Sequence, residues 1–234
     1  RVWLADDGFC AVGPDRTAPG EGELYALYVL QERWGQARDG LGQMVLLSGE
    51  AGIGKSRLAE TLCAQVAAAG YPQIVLRCSS YHTHSALFPV REHLQRVARI
   101  YLEDPPATKL DKIEQMLRGY RLAPEEVVPL FADLLAVPLG PRYAPVGLTP
   151  ERHKQRTYAV LIAWLREETE RQPVLVLYED LHWADRGTLD LLLHVVRNLQ
   201  GARLLIVGTY RDVEVDRSHP LSGVLAELRR IGSF

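Results

Sequence analysis

Four residues in the stretch "SGEAGIGKSRLAE" (48–60) have types and spacing that could hold a phosphate chain. Gly49, Gly54, Lys55 and Ser56 fit the pattern G-x-x-x-x-G-K-S. A phosphate chain must lie against backbone N–H groups, and a Cβ in the wrong place blocks that approach. The loop must also bend through conformations that glycine tolerates. A helix starting at its end adds unpaired N–H groups and about half a positive charge. Lys55 would reach the β- and γ-phosphates, and the Ser56 hydroxyl would bind Mg²⁺. Glu50, Ala51, Gly52 and Ile53 complete the cradle. Arg57 adds charge beside it, at a position that otherwise reads as an exposed helix residue.

Such a site needs acids for its metal. The run "VLVLYED" ends in Glu179 and Asp180. Carboxylates at the C-terminal edge of a parallel strand face the same crevice as a phosphate loop. One would hold Mg²⁺, largely through water, and the other would orient or deprotonate an attacking water. The residues leave the two roles interchangeable. Position favours Glu179 for the metal and Asp180 for the water. In the continuation "LHWAD", His182 could sense phosphate or bridge to Asp185, though a lone histidine beside a tryptophan is more often a packed turn residue; Trp183 reads as core and Asp185 as a helix cap. A further apolar run ends "GTYR". It would bring Thr209 and Arg211 near the γ-phosphate if its strand lies between the other two; a surface arginine is the alternative.

These residues need elements to place them. "QMVLLS" (43–48), "QIVLRC" (73–78), "PVLVLYED" (173–180) and "ARLLIVGTYR" (202–211) are near-continuous apolar runs, as strands covered on both faces are. Helical patterns separate them: Glu23 to about Arg38, Lys55 to Gly70, a mostly helical stretch from Ser79 to about Arg171, and two more after Asp185 and His219. Thr149 and Pro150 suit a helix start. Strands separated by helices imply parallel crossovers and a layered α/β sheet. Residues 1–22, rich in glycine and proline, read as an irregular lead-in to a domain over 23–234, with a helical insertion over about 79–171.

The bulk properties narrow the class. The chain has 234 residues, 47% hydrophobic and 24% charged, with a net charge of −2. That charge gives no general attraction to nucleic acid or anionic membrane, and no basic stripe with interleaved aromatics appears. No apolar run approaches the ~20 residues of a membrane helix. Cys10, Cys63 and Cys78 lack metal-like spacing and read as reduced thiols of a cytoplasmic protein.

Together, "LLSGEAGIGKSRLAE", "VLVLYEDLHWADRGTLDLL" and "LLIVGTYRDVEVDRSHPL" resemble the ATPase module of the STAND signal-transduction NTPases. More narrowly, they resemble the AAA-type P-loop ATPase modules of bacterial multidomain regulators. The resemblance covers the chain from about Glu23 onward. It implies a P-loop (ASCE/AAA-like) three-layer sandwich with a mainly parallel sheet. It also implies an ATP/ADP switch using Mg²⁺, joined to helical repeats and to a class III adenylate/guanylate cyclase or a LuxR-type DNA-binding domain. Gly49, Gly52, Gly54, Lys55, Ser56, Glu179, Asp180 and Arg211 are the positions carried over. Two departures stand out. Where the family opens with a "VGRExEL"-like motif that helps seat adenine, this chain has "PGEGEL" (19–24), keeping Glu21, Glu23 and Leu24. Tyr178 stands where a small aliphatic residue is usual. The family's sheet order is 5-1-4-3-2, and its fifth strand would begin just after Phe234. Residues 43–48 are therefore expected to form an exposed sheet edge, open to self-association.

Three functions fit these residues. The first is a regulatory ATPase with slow hydrolysis, because no arginine finger is evident within the motifs. Such a group is worth about 10³–10⁵ in rate. The second is a scaffold that binds nucleotide without hydrolysing it. The third is a P-loop kinase of a small molecule, with its acceptor pocket in the helical insertion.

Overall fold

The structure, a computed structural model, describes residues 3–4, 9–11, 21–198 and 201–231, with side chains from Leu27 onward. Among them six strands form one sheet. They are β1 (Trp3–Leu4), β2 (Phe9–Ala11), β3 (Gln43–Ser48), β4 (Gln73–Arg77), β5 (Val174–Glu179) and β6 (Leu204–Tyr210), in the spatial order β1-β2-β3-β6-β5-β4. The pairings β2–β3, β3–β6, β6–β5 and β5–β4 are parallel, and β1–β2 is antiparallel. The four strands read from apolar runs are all present, and the strand ending "GTY" lies between the other two site strands.

The chain divides into two compact units. One comprises residues 1–88 and 168–234, and the other residues 89–167. The first carries the sheet with helices α1 (Glu21–Arg38) and α2 (Lys55–Ala68) and, beyond the second unit, α7 (Arg186–Asn198) and α8 (Pro220–Ile231). α1 and α2 bury Leu30, Trp34, Ala37, Leu58, Leu62 and Val66 against Val45 and Leu47 of β3, Leu175 and Leu177 of β5, and Leu205 and Val207 of β6. The alternation in those strands is the two-residue period of a sheet. It continues to Glu179 on β5 and Thr209 on β6, which therefore lie on the α2 face. Every residue of β6 is buried, as a central strand covered on both sides requires. Removing a side chain such as Leu62, 1% exposed, costs about 2–5 kcal/mol at a site of this kind.

The second unit holds the insertion between β4 and β5: α3 (Phe88–Val97), α4 (Pro106–Leu117), α5 (Pro124–Leu134) and most of α6 (Pro150–Arg171). α4 and α5 each start on a proline, where the missing N–H is no loss. Leu94, Leu110, Ile113, Val128, Leu130 and Phe131 are buried in it. Glu167, also buried, accepts the Arg121 amide with both carboxylate oxygens, at 2.8 and 2.9 Å.

Two expectations need correction. Residues 1–22 are not wholly irregular, because Trp3–Leu4 and Phe9–Ala11 are strands. Residues 43–48 are also not an exposed edge: β2 pairs in parallel with β3, setting Phe9 against Leu46 and Ala11 against Ser48. A parallel neighbour needs a crossover, and α1 supplies it. Three strand residues among glycines and prolines carry no readable periodicity, so the pairing was invisible in the sequence. With β2 paired there, the β3 edge is not open to self-association.

Candidate functional site

The loop between β3 and α2 turns through three glycines with positive φ: Gly49 at 149°, Gly52 at 80° and Gly54 at 100°. At Gly52 and Gly54 an L side chain would strain the backbone, so the glycines follow from the path of the loop. Gly54 is the N-cap of α2 and offers no side chain to the first turn, which contains no acid. The first-turn N–H groups of a helix have no partner within it. Here Lys55 and Arg57 also add positive charge at the end where the helix dipole is already positive, an arrangement that favours an anion.

Lys55 is 6% exposed. Its Nζ donates to the carbonyl oxygens of Gly49 and Glu50, each at 2.7 Å, and so ties the loop across its own mouth. Burial lowers the Lys55 pKa below its ordinary value. The nearby charge of Asp180 opposes that shift, Arg211 reinforces it, and Asp212 and Glu214 oppose it more weakly. Asp180, at the tip of β5, and Arg211, just past β6, thus lie close enough for their charges to act on Lys55. Ser56 and Arg57 are exposed. Glu50 and Ala51 are exposed as well, and Ile53 is half-buried.

The two acids diverge. The Glu179 carboxylate accepts from Arg77 Nε on β4 at 2.7 Å. Asp180 leaves the strand with φ 55° and ψ 52°, the left-handed region. Its amide donates to Thr209 Oγ1 at 3.0 Å. Thr209 is 1% exposed, so it meets the site through Asp180. Among the described residues no three of His, Cys, Asp and Glu cluster as a metal cage.

Beyond Asp180 the chain makes one short turn, Leu181–Trp183. His182 is buried, as a packed turn residue should be, and its Nδ1 accepts the Arg211 amide at 3.4 Å. Its Nε2 has no hydrogen-bond partner among the described residues and lies 3.5 Å from Glu214 Oε2. Burial lowers the His182 pKa, against the pull of Asp180 and Glu214. Trp183 is not core: it is half-buried, and the Arg211 guanidinium lies 5.0 Å from its ring centroid. Arg211 also pairs with Glu214 at 2.6 Å. Asp185 is the expected cap of α7. It accepts the Thr188 amide at 3.0 Å and the Thr188 hydroxyl at 2.5 Å, and also the Leu87 amide at 3.0 Å.

Sequence reasoning missed Arg77 and Glu214, because each acquires its role only from a partner in the fold. Tyr178, conspicuous in the sequence, belongs to the other face of β5 from Glu179. It is 2% exposed, and burial raises its phenol pKa. Cys63 and Cys78 are free thiols whose pKa values burial pushes up to about 11 and about 12. Of the "PGEGEL" stretch, Pro19 and Gly20 lie outside the described residues, as do the side chains of Glu21, Glu23 and Leu24. The Cys10 side chain lies outside them too.

A parallel sheet in this order, with a glycine loop opening a helix and acids two strands away, defines an AAA-type P-loop ATPase fold. Residues 25–207 match the AAA ATPase domain family, and the chain belongs to that family. A curated relative, an uncharacterized protein of Rhizobium meliloti (strain 1021), is 26% identical over 185 residues. The match covers 79% of this chain and 18% of that protein, so the chain spans less than a fifth of its relative's length. Among solved structures, a chain in the structure of Drosophila ORC bound to AT-rich DNA and Cdc6 matches at 11% identity and a TM-score of 0.37. The match covers 88% of this chain and 54% of that one. No helix of the described residues is long and apolar enough to cross a membrane.

Proposed function

We propose that this domain binds ATP with Mg²⁺, hydrolyses it slowly and serves as a nucleotide switch for an effector in the same polypeptide. One observation carries the reading. Lys55 sits buried at the open start of α2, tied across a glycine loop, with Asp180 the leading charge that stabilises its ammonium form.

The residues fit the nucleotide and its metal. The glycine path and uncapped helix start present N–H groups and positive charge to phosphates. Ser56 and Glu179 offer the hard oxygens that suit Mg²⁺. When bound, the metal would neutralise charge on the phosphates. Lys55 then exchanges its two carbonyl partners for phosphate oxygens. Asp180 orients a water and takes its proton as that water attacks the γ-phosphorus. The bond from γ-phosphorus to the bridging oxygen breaks, releasing ADP and phosphate.

Slow turnover follows from how the charged groups are held. Glu179 is paired with Arg77, and Arg211 is held by Glu214 and Trp183. Each must leave a protein partner before it can serve the nucleotide. The same pairs favour, as a second reading, a scaffold that binds nucleotide without hydrolysing it. The effector, a cyclase or LuxR-type regulator, and the attached helical repeats rest on the motif resemblance alone. So does the choice of ATP over GTP, while the cytoplasmic location rests on the reading of the cysteines as reduced thiols.

ATP titration and single-turnover hydrolysis with Mg²⁺ separate the readings. The switch predicts micromolar or tighter binding and slow ADP release that Asp180→Asn abolishes while binding persists. Binding with no turnover leaves the scaffold, and no binding removes both.

A further inference from the structure

Asp180 leaves β5 with φ 55° and ψ 52°, in the left-handed region. Aspartate is one of the few non-glycine residues that enter the left-handed region, at a cost of roughly 1 kcal/mol that nearby hydrogen bonds can offset. Here the backbone is held at three points. The Asp180 amide donates to Thr209 Oγ1 at 3.0 Å. Its carbonyl accepts the Trp183 amide at 2.8 Å, closing the short turn. The next side chain, Leu181, is 0% exposed and fills the space above Gly208, where a Cβ would come within 2.6 Å of Leu181 Cδ1. The last two contacts would tolerate any residue that makes a turn. The first depends on one side-chain oxygen, from a strand that carries Thr209 on the α2 face.

We propose that Thr209 is a positioning residue for Asp180. Its hydroxyl oxygen accepts the Asp180 amide at 3.0 Å and so keeps that backbone in the left-handed conformation with which Asp180 leaves β5, fixing where its carboxylate starts from. The inference rests on the reading of Asp180 as the acid that works on the attacking water. It assigns to Thr209 a task distinct from touching phosphate. A half-buried amide that loses its acceptor no longer fixes the backbone, so loss of this oxygen lets residues 180–183 rearrange. The carboxylate then loses its aim, while the glycine loop, on a different connection, keeps its grip on phosphate.

The test compares the parent with Thr209→Val, which keeps the shape and removes the oxygen, and Thr209→Ser, which restores the oxygen. Three quantities are read: ATP dissociation constant, single-turnover rate and amide hydrogen exchange at Asp180. Thr209→Val is expected to lower the rate by roughly 10- to 100-fold, a large part of what a positioned base contributes. It should change ATP affinity by less than about threefold and speed exchange at Asp180 by about tenfold or more, the loss of one hydrogen bond. Thr209→Ser should restore both rate and exchange. Unchanged exchange at Asp180 in Thr209→Val overturns the proposal whatever the rate does. Faster exchange with an unchanged rate overturns its catalytic half, and so does a Thr209→Ser variant that fails to recover. If Thr209→Val melts too low to assay, Thr209→Ala is read in the same way. If the parent binds ATP without turning it over, the role given to Asp180 falls, and the exchange measurement still decides whether Thr209 positions it.

Discussion

The two ends of the site are held by different means. The phosphate-loop end is local: three glycines, one helix start, and a lysine that reaches carbonyls five and six residues back. The acid end is assembled across the sheet. Glu179 depends on Arg77 from β4, Asp180 on Thr209 from β6, and Trp183 and His182 on Arg211 and Glu214 just past β6. A local device survives small shifts between strands, because its parts move together. An assembly across strands is sensitive to them, and it is the end better suited to respond to a bound group.

The largest effect expected tests the local end. Lys55→Ala removes a buried charge that would meet phosphate, and ATP binding should weaken by about 2–5 kcal/mol, at least thirtyfold. Calorimetric titration giving the parent affinity would break the contrast at its stronger side.

The helical unit supplies a control, because it holds a buried titratable group and none of the site residues. His93 is 5% exposed, its Nδ1 lies 3.0 Å from Arg96 Nη2, and burial lowers its pKa to about 4. A depressed histidine pKa means that the unfolded chain binds the proton first. Stability is then intact above about pH 6.5 and lost as pH falls toward 4, by roughly 3 kcal/mol in all. Melting followed across that range should show this loss, and His93→Gln should flatten the profile. An equally steep profile in His93→Gln would place the acid sensitivity elsewhere.

Gly208→Ala probes the acid end through packing. The new Cβ would come 2.6 Å from both Leu181 Cδ1 and Leu46 Cδ2, and both leucines are buried. Overpacking of this kind costs about 1–3 kcal/mol, which should lower Tm by roughly 2–12 °C. Hydrolysis should suffer more than ATP binding, since Leu181 adjoins Asp180. Equal losses in both would show that the two ends are not mechanically separate.

The smallest effect is expected at Arg77. Its side chain is 65% exposed, so Arg77→Ala should change stability by no more than about 1 kcal/mol, less in high salt. Freed of its partner, Glu179 should bind Mg²⁺ more readily, and the Mg²⁺ needed for half-maximal turnover should fall. An unchanged Mg²⁺ requirement would mean that the pair does not restrain the acid.

Much of the fold was legible because buried parallel strands are short apolar runs and helices show their own period. β3, β4, β5 and β6 were readable for that reason, as was α6 from its Thr149–Pro150 start. β2 was not, since three residues define a strand only when a neighbour such as β3 accepts them. At the candidate site, the turn from Gly49 to the helix start at Lys55 was readable because its glycines lie in one consecutive run of residues. Trp183 was misread as core because an amphipathic ring can serve as core or as the bed of a cation, and only Arg211 decides which.

What the residue order determined by itself is the phosphate loop: glycine spacing, lysine and helix start form one continuous piece of backbone whose geometry follows from local sterics. What only the tertiary structure decided is how the acids are held. Glu179 and Asp180 are adjacent in the chain, yet one pairs with an arginine 102 positions away and the other donates to a threonine 29 positions away. Hydrogen bonds between strands depend on sheet order and register, and those are settled by packing the whole core.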